Sequence, residues 1–252
     1  MVNQPPLITI IVAVFNGAET LQQCIDSVSQ QTYTNIELII IDGGSKDGTT
    51  DLLITNNKKI SYWVSEPDNG IYNAWNKGLA QASGEWIYFL GADDFLWNIN
   101  VLEQLANQLV LIPQDIHVVY GQIMLLTPEG KSLCVKGKPW QKAKKSFKYK
   151  MTIPNQGVMH RRSLFDLHGN FDETFRITGD YELLLRELKT GDAIFIPEII
   201  VAGMRVGGIS SNKENALVLL SEWRRAQIIH GQKRLSLGWI KTYIKFYIRS
   251  FL

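Results

Sequence analysis

Residues 85–94 read EWIYFLGADD, an apolar and aromatic run that breaks at Gly91 and ends on two adjacent carboxylates, Asp93 and Asp94. The run has the content of a buried strand. Two neighbouring carboxylates at a buried strand end repel each other and lose solvation. A divalent cation or a sugar hydroxyl relieves that conflict. Mg²⁺ and Mn²⁺ prefer oxygen ligands, and such sites use one or two carboxylates plus substrate phosphates. A plain helix N-cap is the competing reading, because Asp before a helix is common.

Upstream, the same pattern repeats. Residues 7–14 (LITIIVAV), 36–41 (IELIII) and 60–64 read as strands, and residues 20–31, 49–55 and 70–82 carry helical spacing of apolar positions. Strands alternating with helices predict an α/β fold, a mostly parallel central sheet flanked by helices on both faces. Ligands of such sheets bind beyond the carboxyl ends of the strands. Those ends are Asn16-Gly17, Asp42-Gly43-Gly44, the stretch 66–70 and Asp93-Asp94, so they are expected on one rim.

Downstream, residues 100–111 read as a helix, and 118–126 with 132–135 as a hairpin around Pro128-Glu129-Gly130. Residues 136–150 are rich in lysine, 155–162 lead into a short helix, and 181–189 are helical. Residues 193–200 and the segment before Gly207-Gly208 read as strands, and 216–229 and 235–251 as helices. This divides the chain into a half that ends in the paired aspartates (1–98), a second half of the same domain (99–212) and C-terminal helices (213–252).

The 252 residues are enough for one enzyme-sized domain, and the net charge of +2 singles out no partner. Cys24 and Cys134 form no metal pattern and suit a reducing compartment. The N-terminal residues have no signal-peptide pattern, and no apolar run is long enough to cross a bilayer. A cytoplasmic active site is expected.

Asp42 opens Asp42-Gly43-Gly44-Ser45-Lys46-Asp47-Gly48-Thr49. Glycines let backbone approach a ligand, and a strand-end carboxylate can bind a base or ribose. An Asx turn is the alternative. The spacing is neither a Walker loop nor GxGxxG. Asp180, at the start of a helix, is either a cap or a base for an acceptor hydroxyl.

In order along the chain, Ala13-Val14-Phe15-Asn16, Asp42 to Thr49, Ser65-Glu66-Pro67-Asp68-Asn69-Gly70-Ile71-Tyr72, Asn76-Lys77-Gly78 and Ala92-Asp93-Asp94 resemble glycosyltransferase family 2, with its GT-A fold. Gly169-x-Phe171-Asp172-Glu173, Gly179-Asp180-Tyr181-Glu182 and Gly207-Gly208-Ile209-Ser210 continue the likeness. It covers residues 7–210 and is nearest to bacterial polysaccharide-assembly members, including the colanic-acid type. The resemblance implies a nucleotide-sugar donor, with UDP leading over GDP or dTDP, and a glycan or polyprenyl-linked acceptor. It implies Mn²⁺ or Mg²⁺ on Asp94, donor contacts from Ala13, Asn16, Asp42, Asp68, Asn76 and Asp93, and Asp180 as base of an inverting transfer of a single sugar. Many relatives carry a second acid where this chain has Gly43, so Asp42 or Asp68 must serve the base. Near relatives often have His-Gln where this chain has Asn155-Gln156.

Other readings are a non-catalytic nucleotide- or glycan-binding module, a sugar-phosphate nucleotidyltransferase and a metal-dependent phosphatase. The second lacks its Gly-rich, Arg-containing loop after the first strand, and the third lacks His at ligand spacing. Seven lysines between 136 and 150, interleaved with Trp140, Phe147 and Tyr149, come without a nucleic-acid-binding motif. They read as a solvated loop or as a contact for an anionic acceptor or membrane. In the tail, Trp239, Ile240, Tyr243, Ile244, Tyr247 and Ile248 oppose Lys241, Lys245 and Arg249. That is the pattern of an interfacial membrane helix, or of a helix docked on the core or a partner subunit.

Overall fold

The computed structural model describes residues 4–208, 215–233 and Ile244. Its N-terminal half alternates β1 (Ile8–Val14), α1 (Leu21–Ser29), β2 (Ile36–Asp42), α2 (Thr49–Thr55), β3 (Tyr62–Ser65), α3 (Ile71–Gln81) and β4 (Trp86–Gly91). Then come β5 (Phe95–Leu96), α4 (Val101–Leu109), β6 (Val118–Leu126), β7 (Ser132–Lys136), α5 (Trp140–Phe147), β8 (Val158–Arg161), α6 (Ser163–His168), α7 (Gly179–Leu188), β9 (Ala193–Arg205) and α8 (Ala216–Ile229).

One sheet runs β3-β2-β1-β4-β8-β6-β9-β5, with β7 paired to β6. The first four strands are parallel. β8 enters antiparallel to both β4 and β6, and β9 lies parallel to β6. The chain builds outward from β1 to β3, then returns to place β4 on the other side of β1. That reversal opens a crevice beyond the carboxyl ends of β1 and β4, where α/β sheets bind ligands. Ala13 sits at the junction, opposite both Ile41 and Gly91.

Alternate residues of the central strands feed two cores. Ile8, Ile10, Val12, Trp86, Tyr88 and Leu90 face α1 and α4. Ile11, Ile39, Ile87 and Phe89 face α3, α5, α6 and α7. This period-2 split is why β1 and β4 read as unbroken apolar runs: both faces are covered. α3 packs so closely on β1 that a Cβ on Gly78 would lie 2.5 Å from Ile11 Cγ2.

The later half departs from expectation in three places. The lysine-rich segment is not a loop: it folds as α5, burying Trp140, Ala143 and Phe147 along one face. A strand, β8, lies where residues 155–162 were expected only to lead into a helix. Its four residues are all buried, including His160 and Arg161. The Arg161 guanidinium is satisfied by Gln114 at 2.8 Å, Glu85 at 3.1 Å and the carbonyls of Ile112, Pro113 and Ile116, and it stacks 4.6 Å over the Trp86 ring. The two predicted C-terminal strands are one continuous β9 of 13 residues. The helix expected over 235–251 lies outside the described residues apart from Ile244. No helix among the described residues is long and apolar enough to cross a membrane.

Candidate active site at the carboxyl rim of the sheet

The loops after β1 and β2 are zipped together by their own polar atoms. Asp42 is fully buried and accepts hydrogen bonds from the Ser45 amide (3.1 Å), the Ser45 hydroxyl and the Ser65 hydroxyl (2.6 Å). Ser45 Oγ in turn accepts the Asn16 amide at 2.6 Å. Asn16 adopts the left-handed conformation, φ 49°, and its side-chain oxygen accepts the Lys46 amide at 3.1 Å. Asp47 accepts the Ala18 amide and the Thr49 amide and hydroxyl, contacts that hold its carboxyl below the usual range. Asp42, expected to touch the donor, holds Ser45 and Ser65 and so shapes the loop after β2.

Asp68 is placed differently. It accepts the Gly70 amide through Oδ1 at 2.8 Å, and its Oδ2 lies where a Cβ on Gly43 would come within 2.7 Å. Lacking a side chain at 43 lets the Asp68 carboxylate lie over that backbone. The same Cβ would meet Phe15 Cδ2 at 3.3 Å, and Phe15 is 66 % exposed. An aromatic face and a carboxylate thus flank one glycine at the rim. Phe15 was missed as a site residue. Its signal was an aromatic closing the apolar run one residue past the end of β1.

After β4, the chain turns with Asp94 N–H donating to Gly91 O at 3.0 Å. Both carboxylates fold back over Gly91: a Cβ there would meet Asp94 Oδ2 at 2.7 Å and Asp93 Oδ1 at 2.9 Å. Asp93 is exposed, and Asp94 is only 4 % exposed. Burial, reinforced by the neighbouring Asp93, pushes the Asp94 carboxyl up to about 8. The Arg205 amide, at 3.2 Å from Asp94 Oδ1, only partly offsets this. The Arg205 guanidinium grips the Asp93 carbonyl and Gln23, bringing a cation to the rim that the sequence reading did not single out. Among the described residues no cluster of three or more His, Cys, Asp or Glu could hold a metal by itself. A pair of oxygen donors with uncompensated charge nonetheless fits a hard cation that takes its other ligands from phosphate.

Asp180 opens α7, half-buried, with Oδ1 accepting the Tyr181 amide at 2.8 Å and the Tyr72 hydroxyl at 3.4 Å. Its surroundings push the carboxyl up to about 6, chiefly by burial, with those donors pulling the other way. Tyr72 lies in the first turn of α3, which begins at the rim just after the β3 loop, so this contact carries Asp180 to the crevice. The approach is tight, since a Cβ on Gly179 would sit 2.8 Å from the Tyr72 ring. Asn76, expected among the donor contacts, completes the attachment. Its side chain accepts the Phe171 amide and donates to Phe171 O and Glu173 Oε1, all within 3.0 Å, strapping the loop before Asp180 onto α3.

A second residue absent from the sequence reading is Glu222, on α8 and 7 % exposed. Its carboxylate accepts the amides of Arg176, Ile177 and Thr178 at 2.7, 2.9 and 3.0 Å. Three successive amides on one carboxylate fix the backbone two residues before Asp180. On the same helix Arg225 stacks 4.4 Å over Phe175 and reaches Thr174. No spacing rule links residue 222 to 176–178, so only the fold reveals this clamp.

Residues 9–131 match the sequence profile described as Glycosyl transferase family 2. A "PGL/p-HBAD biosynthesis glycosyltransferase" of Mycobacterium bovis (strain BCG / Pasteur 1173P2) is 28% identical over 214 residues, covering 82% of this chain and 80% of that protein. A Rickettsia typhi protein described as an "Uncharacterized glycosyltransferase" is 32% identical over 212 residues, covering 78% of this chain and 63% of its own. Among solved structures, Staphylococcus aureus TarS 1-349 in complex with UDP-GlcNAc superposes with a TM-score of 0.69 at 14% identity, covering 90% of this chain and 68% of that one. The mannosyltransferase PcManGT from Pyrobaculum calidifontis, in complex with GDP-Man and Mn²⁺, gives 0.68 at 18% identity, covering 99% and 71%. At such identities these superpositions establish the fold, of GT-A type; this chain spans 40% of the longer TarS chain.

Proposed function

The chain belongs to glycosyl transferase family 2, and from that premise we propose that it moves one sugar from a nucleotide-sugar, a UDP-sugar first, to a hydroxyl of a glycan or lipid-linked glycan acceptor, with inversion. The observation that carries the reading is Asp180, a carboxyl raised to about 6 and tied by Tyr72 to the rim on which Asp93 and Asp94 end. A base poised near neutral pH suits removal of a hydroxyl proton.

Phe15 offers its exposed face to the nucleobase, and Asp68 supplies the carboxylate beside it. Asp93 would meet the ribose or sugar, and Asp94 would hold Mn²⁺ or Mg²⁺, which when bound would neutralise charge on the departing diphosphate. The Arg205 guanidinium adds a fixed positive charge on the same side. Asp180 takes the proton of the acceptor hydroxyl as that hydroxyl's oxygen bonds to the anomeric carbon, from the face opposite the leaving nucleoside diphosphate. The complex of a related fold with GDP-Man and Mn²⁺ supports this donor-and-metal pairing. Contact of the 235–251 segment with the inner face of a membrane belongs to the same proposal, as does a cytoplasmic location.

The test is a thermal-shift series with UDP, GDP, dTDP, CDP and ADP, each with and without Mn²⁺, since a ligand of the native state raises the midpoint. A metal-dependent shift with one nucleotide supports the reading and names the donor class. No shift with any would turn the assignment towards a non-catalytic module.

A further inference from the structure

α5 carries two opposite stripes. Trp140, Ala143 and Phe147 are buried, while Gln141, Lys144, Lys145 and Lys148 recur at helical spacing on the exposed side. α7 runs antiparallel beside it. The Trp140 indole donates to Asp192 at 2.8 Å, past the end of α7, and the Tyr181 hydroxyl, near its start, donates to Phe147 O at 2.7 Å. A groove of about 530 Å³ lies along the two helices, bordered by the end of α8.

The groove is one-sided in charge. Lys144, Lys145 and Lys148 line it from α5 and Lys189 from the end of α7, together with the apolar Phe147, Leu185 and Leu188. No carboxylate is among its lining residues, although Lys144 also pairs with Asp192 at 2.5 Å. The C-terminal segment departs from the same place. Gln227 donates to Tyr149 O at 2.6 Å, the Gln232 amide returns to Gln227 O at 2.9 Å, and the Arg224 guanidinium holds Lys233 O. Residues 234–252, with Arg234, Lys241, Lys245 and Arg249, therefore begin beside a groove of their own sign. Like charge argues against that segment as the occupant and for an anionic surface that both can share. Apolar side chains are exposed around these cations: Tyr149 and Ile229 next to groove residues in the chain, and Ile244, which is helical and 51 % exposed.

We propose that the α5–α7 groove is the headgroup-binding part of a docking face for a bilayer containing anionic phospholipid. The folded domain, and not the C-terminal segment alone, then sets the affinity for that surface. Clustered lysines are drawn to an anionic leaflet, and exposed apolar side chains enter the interface beside them. Asp180 and Lys189 lie at opposite ends of α7, about 14 Å apart, so the face adjoins the crevice without filling it. The inference rests on the transferase reading in one respect, the membrane contact proposed there for 235–251.

Sedimentation of the full chain with phosphatidylcholine vesicles, with and without about 30 % phosphatidylglycerol, reads the docking. Wild type is expected to bind the anionic vesicles at least ~10-fold more tightly than the neutral ones, with affinity falling as salt rises. K145A/K148A/K189A, which leaves the Lys144 pair intact, is expected to lose ~10-fold or more, and K145R/K148R/K189R to bind as wild type does. K131A/K136A/K138A removes the same charge from the β7 hairpin and the residues after it, and is expected to bind as wild type does. Equal binding of neutral vesicles, wild-type binding by K145A/K148A/K189A, or an equal loss in both alanine variants overturns the proposal. So does full displacement by inorganic diphosphate at matched phosphate concentration, which would make the groove a site for soluble anions. The nucleotide thermal shift shows that each variant is folded and tests the transferase reading separately. A nucleotide response without vesicle binding overturns the docking face alone. Charge-dependent docking without any nucleotide response overturns the transferase reading and leaves the face standing.

Discussion

The Tyr72 hydroxyl points at Asp180 Oδ1 from 3.4 Å, although 108 residues separate the two in the chain. Tyr72 is 3 % exposed and packed against Trp75 and Phe171, so the donor is fixed by the core and not by solvent. The contact ties the base to the helix that follows the β3 loop.

Asp180→Asn is expected to retain nucleotide binding and to lose transfer by ~10²–10⁴-fold, the usual scale for a general base. In the wild type Asp180 is protonated below about 6 and charged above it. Only the charged form accepts a proton, so transfer falls as pH drops through about 6 and is level above. Tyr72→Phe removes a donor that favours the charged form, which raises the Asp180 pKa and moves this limb to higher pH. A pH–rate profile of kcat/KM for the three proteins checks both; transfer by Asp180→Asn at the wild-type rate would exclude it as the base.

Asp94→Ala is expected to abolish the Mn²⁺-dependent part of the nucleotide thermal shift. The protein without ligand should be no less stable, because the substitution removes a buried carboxylate whose charge the fold disfavours. Midpoints measured with nucleotide alone, metal alone and both together separate the effects. A variant that keeps the metal-dependent shift would place the cation elsewhere.

Glu222 touches no expected ligand position, yet its clamp on residues 176–178 sets the approach to Asp180. Glu222→Ala takes the acceptor from three amides, of which that of Thr178 is buried, at roughly 1–3 kcal/mol for a buried group left unsatisfied, and should lower the thermal midpoint. Glu222→Gln keeps an acceptor oxygen and is the informative variant. Its kcat should fall about 10-fold with donor KM little changed, as for loss of positioning. Removing the negative charge also relieves repulsion on Asp180, so the acid limb of the profile should move to lower pH. A merely structural role would leave that limb in place.

The N-terminal half was legible because its strands are covered on both faces, and residues such as Ile8 to Val14 therefore leave a continuous apolar trace. Helices α2 and α8 fell where periodicity placed them, at Thr49–Thr55 and Ala216–Ile229. What escaped was polar and long-range. β8 is four residues with a buried His and Arg, whose partners Glu85 and Gln114 are remote in sequence. α5 hid its apolar stripe of Trp140, Ala143 and Phe147 among lysines. Among the candidate residues, Asp42 and Asn76 already bond neighbouring groups of the fold, Ser65 and Phe171 among them. Hydrogen-bond capacity already used inside the fold cannot be read from residue type.

Gly43 and Asp68 give the last prediction. A Cβ at 43 would meet Asp68 Oδ2 at 2.7 Å and the Phe15 ring at 3.3 Å, so Gly43→Ala must push one or both aside. Gly43 is not in the left-handed region, and alanine there incurs no backbone strain. Its effect should therefore appear in ligand binding more than in stability. Nucleoside diphosphate affinity is expected to drop by roughly 10-fold, about one charge-assisted hydrogen bond, with the midpoint of the free protein within ~2 °C of wild type. Asp68→Ala should weaken binding to a similar degree, and the double variant should cost little more than either alone, because both changes remove the same carboxylate. Calorimetric titration of the preferred nucleotide into all four proteins measures this coupling. Fully additive losses would mean that Gly43 acts through its own backbone contact with the ligand and not through Asp68.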